Sequence, residues 1–280
     1  MIAEAQDFLD ESLALHRLVS VLSEADFQRP TQFKEWTVNH VMQHLHFFNI
    51  VADLSLSDGD AAMRLYDRLR HKRDAGTANV EATDQLLDGL SGHALLAAWH
   101  DFAAQVAARY GAASAKQRVK WAGPDMSARS LISARLMETW AHGQAIYDLL
   151  GVRRENTDRI KSIVVMGVNT YGWTFHNRGE TPPQPKPHLC LTAPSGAQWR
   201  WNEPSTSERI EGTAEEFCQV VTQVRNVADT GLRVSGPSAN AWMAVAQCFA
   251  GPVRTPPAPG TRGPLSGRPA NTDRIKPSIA

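Results

Sequence analysis

The sequence predicts an α+β protein. An N-terminal antiparallel four-helix bundle spans residues 1–156, a smaller mixed α/β domain 157–252, and a disordered Pro/Gly-rich tail 253–280. Three observations carry this reading. In the first half, apolar residues recur at three and four, the period of a helix buried along one face. After residue 156 that pattern gives way to short alternating runs separated by turn residues. From Pro252 onward proline, glycine and arginine dominate and large apolar residues nearly vanish, a composition with too little to bury.

The first helix is expected from Ala3 to about Val21, where the apolar positions Phe8, Leu9, Leu13, Leu15, Leu18, Val19 and Leu22 recur at three and four. Ser23–Phe27 reads as one further turn, stopped by Pro30. Thr37 is the expected N-cap of a long helix to about Leu56, whose apolar stripe is Val38, Val41, Met42, Leu45, Phe48, Val51 and Ala52. Asp58 or Asp60 opens another helix to about Asp74, Gly76 breaks it, and Val80–Leu90 is helical again. Ser91 is the expected cap of a helix to about Tyr110, ended by Gly111. Lys116–Pro124 reads as a connector, and Ser127 opens the last bundle helix, which stops at Leu150 before the C′ glycine Gly151.

In the second half Thr157 caps a helix from Asp158 to about Thr170, followed by a Gly/Pro-rich passage from Gly172 to Pro187. His188–Thr192 and Gln198–Trp201 flank Pro194-Ser195-Gly196 as a hairpin, and Glu208–Glu211 is a third strand. Thr213 caps a helix Ala214–Val224; Leu232–Ser235 is a fourth strand, followed by a helix Ser238–Phe249.

Composition narrows the function. Basic and acidic residues balance at 29 each, so nothing points to nucleic acid or an anionic membrane. No apolar run approaches the about 20 residues that span a bilayer, and the N-terminus has no secretory pattern. Cys190, Cys218 and Cys248 are odd in number, widely spaced and set among apolar neighbours; they read as buried thiols of a reducing compartment, and the expected location is cytoplasmic. Nucleotide-binding glycine motifs, the nucleophile elbow and H-E-x-x-H are absent.

The chemistry-bearing stretch is Arg135–Gln144. Glu138 and His142 stand four apart, so a helix puts carboxylate and imidazole side by side, and both are ligands for a divalent transition metal. The same spacing also makes a plain Glu–His ion pair. A third ligand would come from the Thr37 helix, which carries His40, His44 and His46. His44 shares an edge of the apolar stripe and is the first choice; the alternative for it is a hydrogen-bonded core histidine. Trp140 and Gln144 read as structural.

The segment Trp36-Thr37-Val38-Asn39-His40 through His44-Leu45 resembles the G-W-T-V-x-D-V-x-x-H-L motif of the DinB-like family, in its mycothiol-dependent maleylpyruvate isomerase branch. Met137-Glu138 through His142 resembles that branch's E-x-x-x-H helix. The resemblance implies a four-helix bundle that binds a divalent metal, usually zinc, with Ni2+, Fe2+ or Mn2+ as alternatives, through His44, Glu138 and His142. It also implies a low-molecular-weight thiol such as mycothiol as co-substrate, and a C-terminal domain distantly similar to sterol-carrier folds. Two positions depart from the motif: Glu35 stands where glycine is common and His40 where aspartate is usual.

The expected activity is addition or transfer of a small thiol to an electrophile, or isomerisation through the thiol adduct. Arg178 and Arg225 are the candidate catalytic donors for anionic groups, each with the alternative of a surface or packing arginine. The partner is then a small-molecule substrate, and a homodimer is the assembly common among DinB-like proteins. Two other functions remain open: a metal hydrolase or lyase using bound water, and a metal- or ligand-binding protein without catalysis.

Overall fold

The structure, a computed structural model, describes residues 1–265 of the chain. These divide into one unit built on Met1–Arg154 and a second comprising Glu155–Gly263.

Four long helices form the first unit's bundle: α1 (Glu4–Val19), α2 (Val38–Ser57), α5 (Gly92–Ala112) and α6 (Ala128–Leu150). The connection between α2 and α5 holds two shorter helices, α3 (Gly59–Asp74) and α4 (Asn79–Leu86). Helix α1 carries acid in its first turn (Glu4, Asp7) and His16 and Arg17 in its last, matching the macrodipole at both ends. Ser127 Oγ accepts the Ser130 N–H at 3.1 Å to open α6, and Gly151 closes it at φ 64°, a left-handed position that a side chain would resist.

Two pairs of bundle helices are antiparallel, α2 with α6 and α1 with α5: Asn49 meets Arg135 and His44 meets Glu138, while Ile2 N–H donates to the Gly111 carbonyl. Helices α2 and α5 run in the same direction, since Asn39 meets Gly92 at their starts and Ala52 meets Tyr110 near their ends. The long α3–α4 connection makes that parallel pairing reachable. The interior has an apolar cluster at each end. One gathers Leu15, Val41, Trp99 and Ile146, the other Phe8, Ala52, Tyr110 and Ile132. Between them α1, α2 and α6 bring buried polar residues: Glu11, Ser12, Asn49, Arg135 and Thr139.

One helix start differs in detail from expectation. Ser91 occupies the cap position of α5, but its side chain does not cap; Asn39 Oδ1 takes the Gly92 N–H at 2.9 Å and Glu24 Oε1 the His93 N–H at 3.2 Å. Long-range side chains thus satisfy donors that a local cap would have taken. The connector after α5 forms a small ribbon, β1 (Arg118–Val119) paired antiparallel with β2 (Met126–Ser127).

The second unit begins with a 3-10 turn, Asp158–Ile160, then α7 (Lys161–Asn169) and α8 (Tyr171–His176). Helix α8 lies in the passage expected to be irregular. Tyr171 and Phe175 stand four apart and are buried, so tertiary packing overrides the local glycine. A four-stranded sheet follows, β3 (His188–Thr192), β4 (Gln198–Trp201), β5 (Arg209–Thr213) and β6 (Arg233–Ser235), in the order β4-β3-β5-β6. The β3–β4 hairpin and the β5–β6 pair are antiparallel, while β3 and β5 are parallel with Leu189 opposite Ile210.

Helix α9 (Ala214–Val221) starts from a reciprocal cap: Thr213 Oγ1 accepts from Glu216 N–H and Glu216 reaches back to Thr213 N–H. It packs on α7 at Gly167, where a Cβ would come within 3.0 Å of Phe217 and Val221. Helix α10 (Pro237–Val245) closes the unit.

Within the stretch expected to be a disordered tail, the segment 253–263 is hydrogen-bonded. It lies on the second unit: Gln223 Nε2 donates to the Arg254 carbonyl at 3.1 Å, Asn226 Nδ2 to that of Pro257 at 2.9 Å, and Gly260 N–H to Asp229 Oδ1 at 2.8 Å. Main-chain hydrogen bonds replace the apolar anchors whose absence suggested disorder. The expectation for 266–280 lies outside the described residues. No described helix is long and apolar enough to cross a membrane.

Candidate metal centre

His44 projects from α2; Glu138 and His142 project from α6, one helical turn apart. The antiparallel register of the two helices brings all three together. His44 Nε2 lies 3.3 Å, and His142 Nε2 3.1 Å, from the same Glu138 Oε2. One ligand atom from each residue lies within 4.8 Å of the others, and the two imidazole centroids are 4.5 Å apart.

The donor set fits a transition metal. Donors bound at about 2.0–2.2 Å in tetrahedral geometry stand about 3.4 Å apart, and the observed 3.1 and 3.3 Å are on that scale. The side chains are mostly enclosed but retain an open edge, with 25% of Glu138 accessible.

Burial, reinforced by the neighbouring His142, pushes the His44 imidazole down to about 4, against the opposing hydrogen bond to Glu138. His44 is therefore neutral near pH 7, with a lone pair to offer. Burial alone would raise the Glu138 carboxyl; the hydrogen bonds from His142 and His44 outweigh it and hold the group well below the usual carboxylate range. A neutral imidazole at His44 beside an ionised Glu138 carboxylate presents ligand atoms in the states a metal site needs.

Aromatic rings fix the imidazoles. Trp36 stacks on His142 at 5.8 Å with an interplanar angle of 7° and lies 5.4 Å from His44. Phe33 meets His142 edge-on at 5.0 Å, and Phe48 sits 4.8 Å from His44. His44 Nδ1 is buried and has no hydrogen-bond partner among the described residues, so this packing sets the ring's orientation. Beside Glu138 lies Arg135, which is 1% exposed. Its Nε–H donates to Asn49 Oδ1 at 3.1 Å and its Nη2 to the Leu45 carbonyl at 3.2 Å. Burial lowers the guanidinium to about 10 while Glu138 opposes the shift, so it stays cationic near neutrality.

The other histidines of α2 do different work. His40 Nδ1 accepts the Thr37 N–H at 3.2 Å while Thr37 Oγ1 accepts the His40 N–H at 3.2 Å, a reciprocal cap. An aspartate carboxylate would make the same bond, which accounts for the departure at this position. His46 is buried against Phe102 at 5.7 Å, away from the cluster, and burial pushes its imidazole down to about 4. Trp140 is fully buried, and Gln144 bridges Asp148 at 3.0 Å and Arg154 at 3.2 Å.

Arg178 and Arg225 belong to the second unit. Arg178 donates to the carbonyls of Thr174 at 3.3 Å and Arg254 at 2.6 Å; Arg225, 7% exposed, donates to that of Val224 at 3.2 Å. The three ligand candidates share one cluster; these two arginines hold main chain. Sequence reasoning passed over Arg135 and Phe33. The available signal for Arg135 was a cation on the face of Leu131, Ile132 and Leu136, three residues before a carboxylate. Phe33 gave none, because its position depends on a turn.

The sequence profile of the mycothiol maleylpyruvate isomerase N-terminal domain matches residues 8–147. Uncharacterized proteins from two strains of Mycobacterium tuberculosis, H37Rv and CDC 1551 / Oshkosh, are each 35% identical over 246 residues, covering 88% of this chain and 95% of the relative. A crystal structure of the mycothiol-dependent maleylpyruvate isomerase shares the fold at TM-score 0.50 and 14% identity, covering 85% of this chain and 95% of that one. The matched profile spans the helices that carry His44, Glu138 and His142, and this chain belongs to the mycothiol maleylpyruvate isomerase N-terminal domain family.

Proposed function

We propose that this chain is a divalent-metal-dependent enzyme of the mycothiol-dependent isomerase or thiol-transferase type, activating a low-molecular-weight thiol for addition to a small electrophile. The observation that carries the proposal is the convergence of His44 Nε2 and His142 Nε2 on one oxygen of Glu138 at an accessible edge. These three residues would hold the metal, with zinc the first candidate for a two-imidazole, one-carboxylate set. A bound zinc ion supplies a Lewis acid with an open position and lowers the pKa of a coordinated thiol.

The chain's own residues prepare that chemistry. Burial keeps His44 neutral. Glu138 stays ionised and Arg135 balances its charge. Phe33, Trp36 and Phe48 surround the imidazoles with apolar surface, which strengthens electrostatic interactions at the cluster. The thiol is external in this proposal: Cys190, Cys218 and Cys248 all lie in the second unit, outside the ligand cluster. The family's name supports mycothiol as that thiol.

The substrate-side role of Arg178 and Arg225 stays part of the proposal, though their carbonyl bonds favour a structural role. Anion anchoring predicts a raised KM at unchanged melting temperature in Arg178→Gln and Arg225→Gln; a tie to main chain predicts the reverse.

Metal analysis tests the core of the proposal. The purified protein is expected to hold about one equivalent of metal per chain, lost in both His44→Ala and His142→Ala. Full metal in these variants refutes the ligand set. Mycothiol titrated into the cobalt-substituted protein is expected to change its visible spectrum; a silent titration favours a hydrolase or lyase working with bound water.

A further inference from the structure

We propose that Arg135 is a positioning residue of the His44–Glu138–His142 cluster: its buried positive charge offsets the Glu138 carboxylate and raises the affinity of a metal held there for an anionic ligand, a thiolate in the proposed reaction. The inference rests on reading the cluster as a thiol-activating metal centre. Arg135 and Glu138 stand three apart on α6, neighbours on one face whose Cβ atoms are about 5–6 Å apart. From that face the guanidinium crosses to α2. Its Nη2 donates to the carbonyl of Leu45, the residue after His44, at 3.2 Å. Its Cζ lies 6.0 Å from the Phe48 ring, which packs on His44 at 4.8 Å. Arg135 is thus tied to the helical turn that carries one ligand and stands beside another.

Packing alone does not call for a charge here. Leu131, Ile132 and Leu136 beside Arg135 on α6 are fully buried, and an apolar side chain of similar volume would suit such surroundings. Among the described residues the hydrogen bonds of Arg135 go to an amide and a carbonyl, and no carboxylate stands within ion-pair distance. A buried cation without that partner is costly. Burial works against the Arg135 charge, and Glu138 is the group that chiefly sustains it. Asn49 is committed to holding it: Oδ1 takes the Nε–H at 3.1 Å, while Nδ2 is buried with no hydrogen-bond partner among the described residues. The consequence for ligands follows from counting charges. A divalent ion brings two positive charges, Glu138 cancels one, and Arg135 restores it. An anion at the open coordination position then meets the larger charge, whereas the metal itself is repelled by the guanidinium. The two effects have opposite signs, and an arginine that only holds helices together produces neither.

Spectroscopic titration of the cobalt-substituted protein reads the affinity for two probes: 2-mercaptoethanol, a thiol with no other charge, and thiocyanate, an anion that is not a thiol. Arg135→Gln and Arg135→Met are both neutral, the first keeping hydrogen-bonding groups and the second filling the volume, so a folding failure in one leaves the other. Arg135→Lys keeps the charge. The neutral variants are expected to bind each probe about tenfold more weakly, the scale of one nearby charge, and to bind zinc at least as tightly as the wild type. Arg135→Lys should retain most of the probe affinity, although its melting temperature falls with those of the neutral variants. Wild-type probe affinity in a neutral variant overturns the role of Arg135. Zinc affinity that falls together with probe affinity, or a loss in Arg135→Lys as large as in Arg135→Gln, overturns it too, because either result assigns the residue to structure alone. If thiocyanate binds and 2-mercaptoethanol does not, the thiol-activating reading fails by itself, and the thiocyanate arm still decides whether Arg135 sets the charge of the centre.

Discussion

Both units bury polar side chains, and they satisfy them in different ways. In the first unit, several buried charges meet charge or ring in addition to main chain. Arg154 pairs with Glu11 in the interior and lies 4.9 Å from Trp140 and 4.8 Å from Tyr147, while His44 and His142 converge on Glu138. In the second unit the buried amides reach main chain: Gln223 donates to the carbonyls of Ala246 and Arg254, and Gln247 to those of Phe249 and Pro252. A carbonyl in a packed chain is a committed partner. A cluster of side chains can exchange its internal hydrogen bonds for a ligand, and the candidate metal centre of the bundle is such a cluster.

The largest expected effect probes that contrast directly. Arg154→Met removes the guanidinium that pairs with the fully buried Glu11 carboxylate and should cost about 3–5 kcal/mol in urea unfolding. The double variant Glu11→Met/Arg154→Met should recover much of the loss, because the uncompensated charge is gone. Gln247→Ala in the second unit removes bonds to Phe249, Pro252 and Arg254 and should cost less, about 1–3 kcal/mol, with faster amide exchange over residues 249–254. Equal losses at the two sites would remove the distinction between the units.

Glu35→Gly tests the turn before Trp36, where Glu35 sits at φ 57°, a left-handed conformation that side chains disfavour. Glycine adopts the left-handed conformation freely, so the variant should gain about 1 kcal/mol in stability with its zinc content unchanged. A loss of stability would mean that the Glu35 side chain, and not its backbone, matters there. This position explains the motif's preference for glycine and the cost of departing from it.

The smallest effect concerns acid. Burial, and then the charge of His100, lowers the His16 imidazole, whose ring lies 4.3 Å from that of His100. A histidine lowered in the folded state takes up its proton more readily when unfolded, so its contribution is complete above the unfolded value of about 6.5 and declines as pH falls below it. His100→Gln removes the second cause and should reduce this decline; urea midpoints at pH 7.5 and 5.5 read the difference. An unchanged decline would assign the acid sensitivity to other groups, such as His46.

Much of the architecture was readable from the chain alone. Apolar spacing marks α1, α2, α5 and α6, Thr37, Ser127 and Thr213 mark starts, and Gly151 marks an end, since caps and periodicity are local properties. The Glu138–His142 pair is equally local, a consequence of residues four apart on one helix. Local spacing could not determine which atoms meet across helices. The register of α2 against α6 brings His44 Nε2 and His142 Nε2 to the same oxygen, and the hairpin at residues 30–37 turns Phe33 and Trp36 toward the cluster. Likewise Asn39 and Glu24, both distant in sequence, take the orphan donors of α5 that Ser91 leaves. The sequence by itself determined most of the elements and offered the candidate ligand residues. Tertiary structure decided their convergence, because that depends on long-range packing and on backbone conformations that individual residues disfavour.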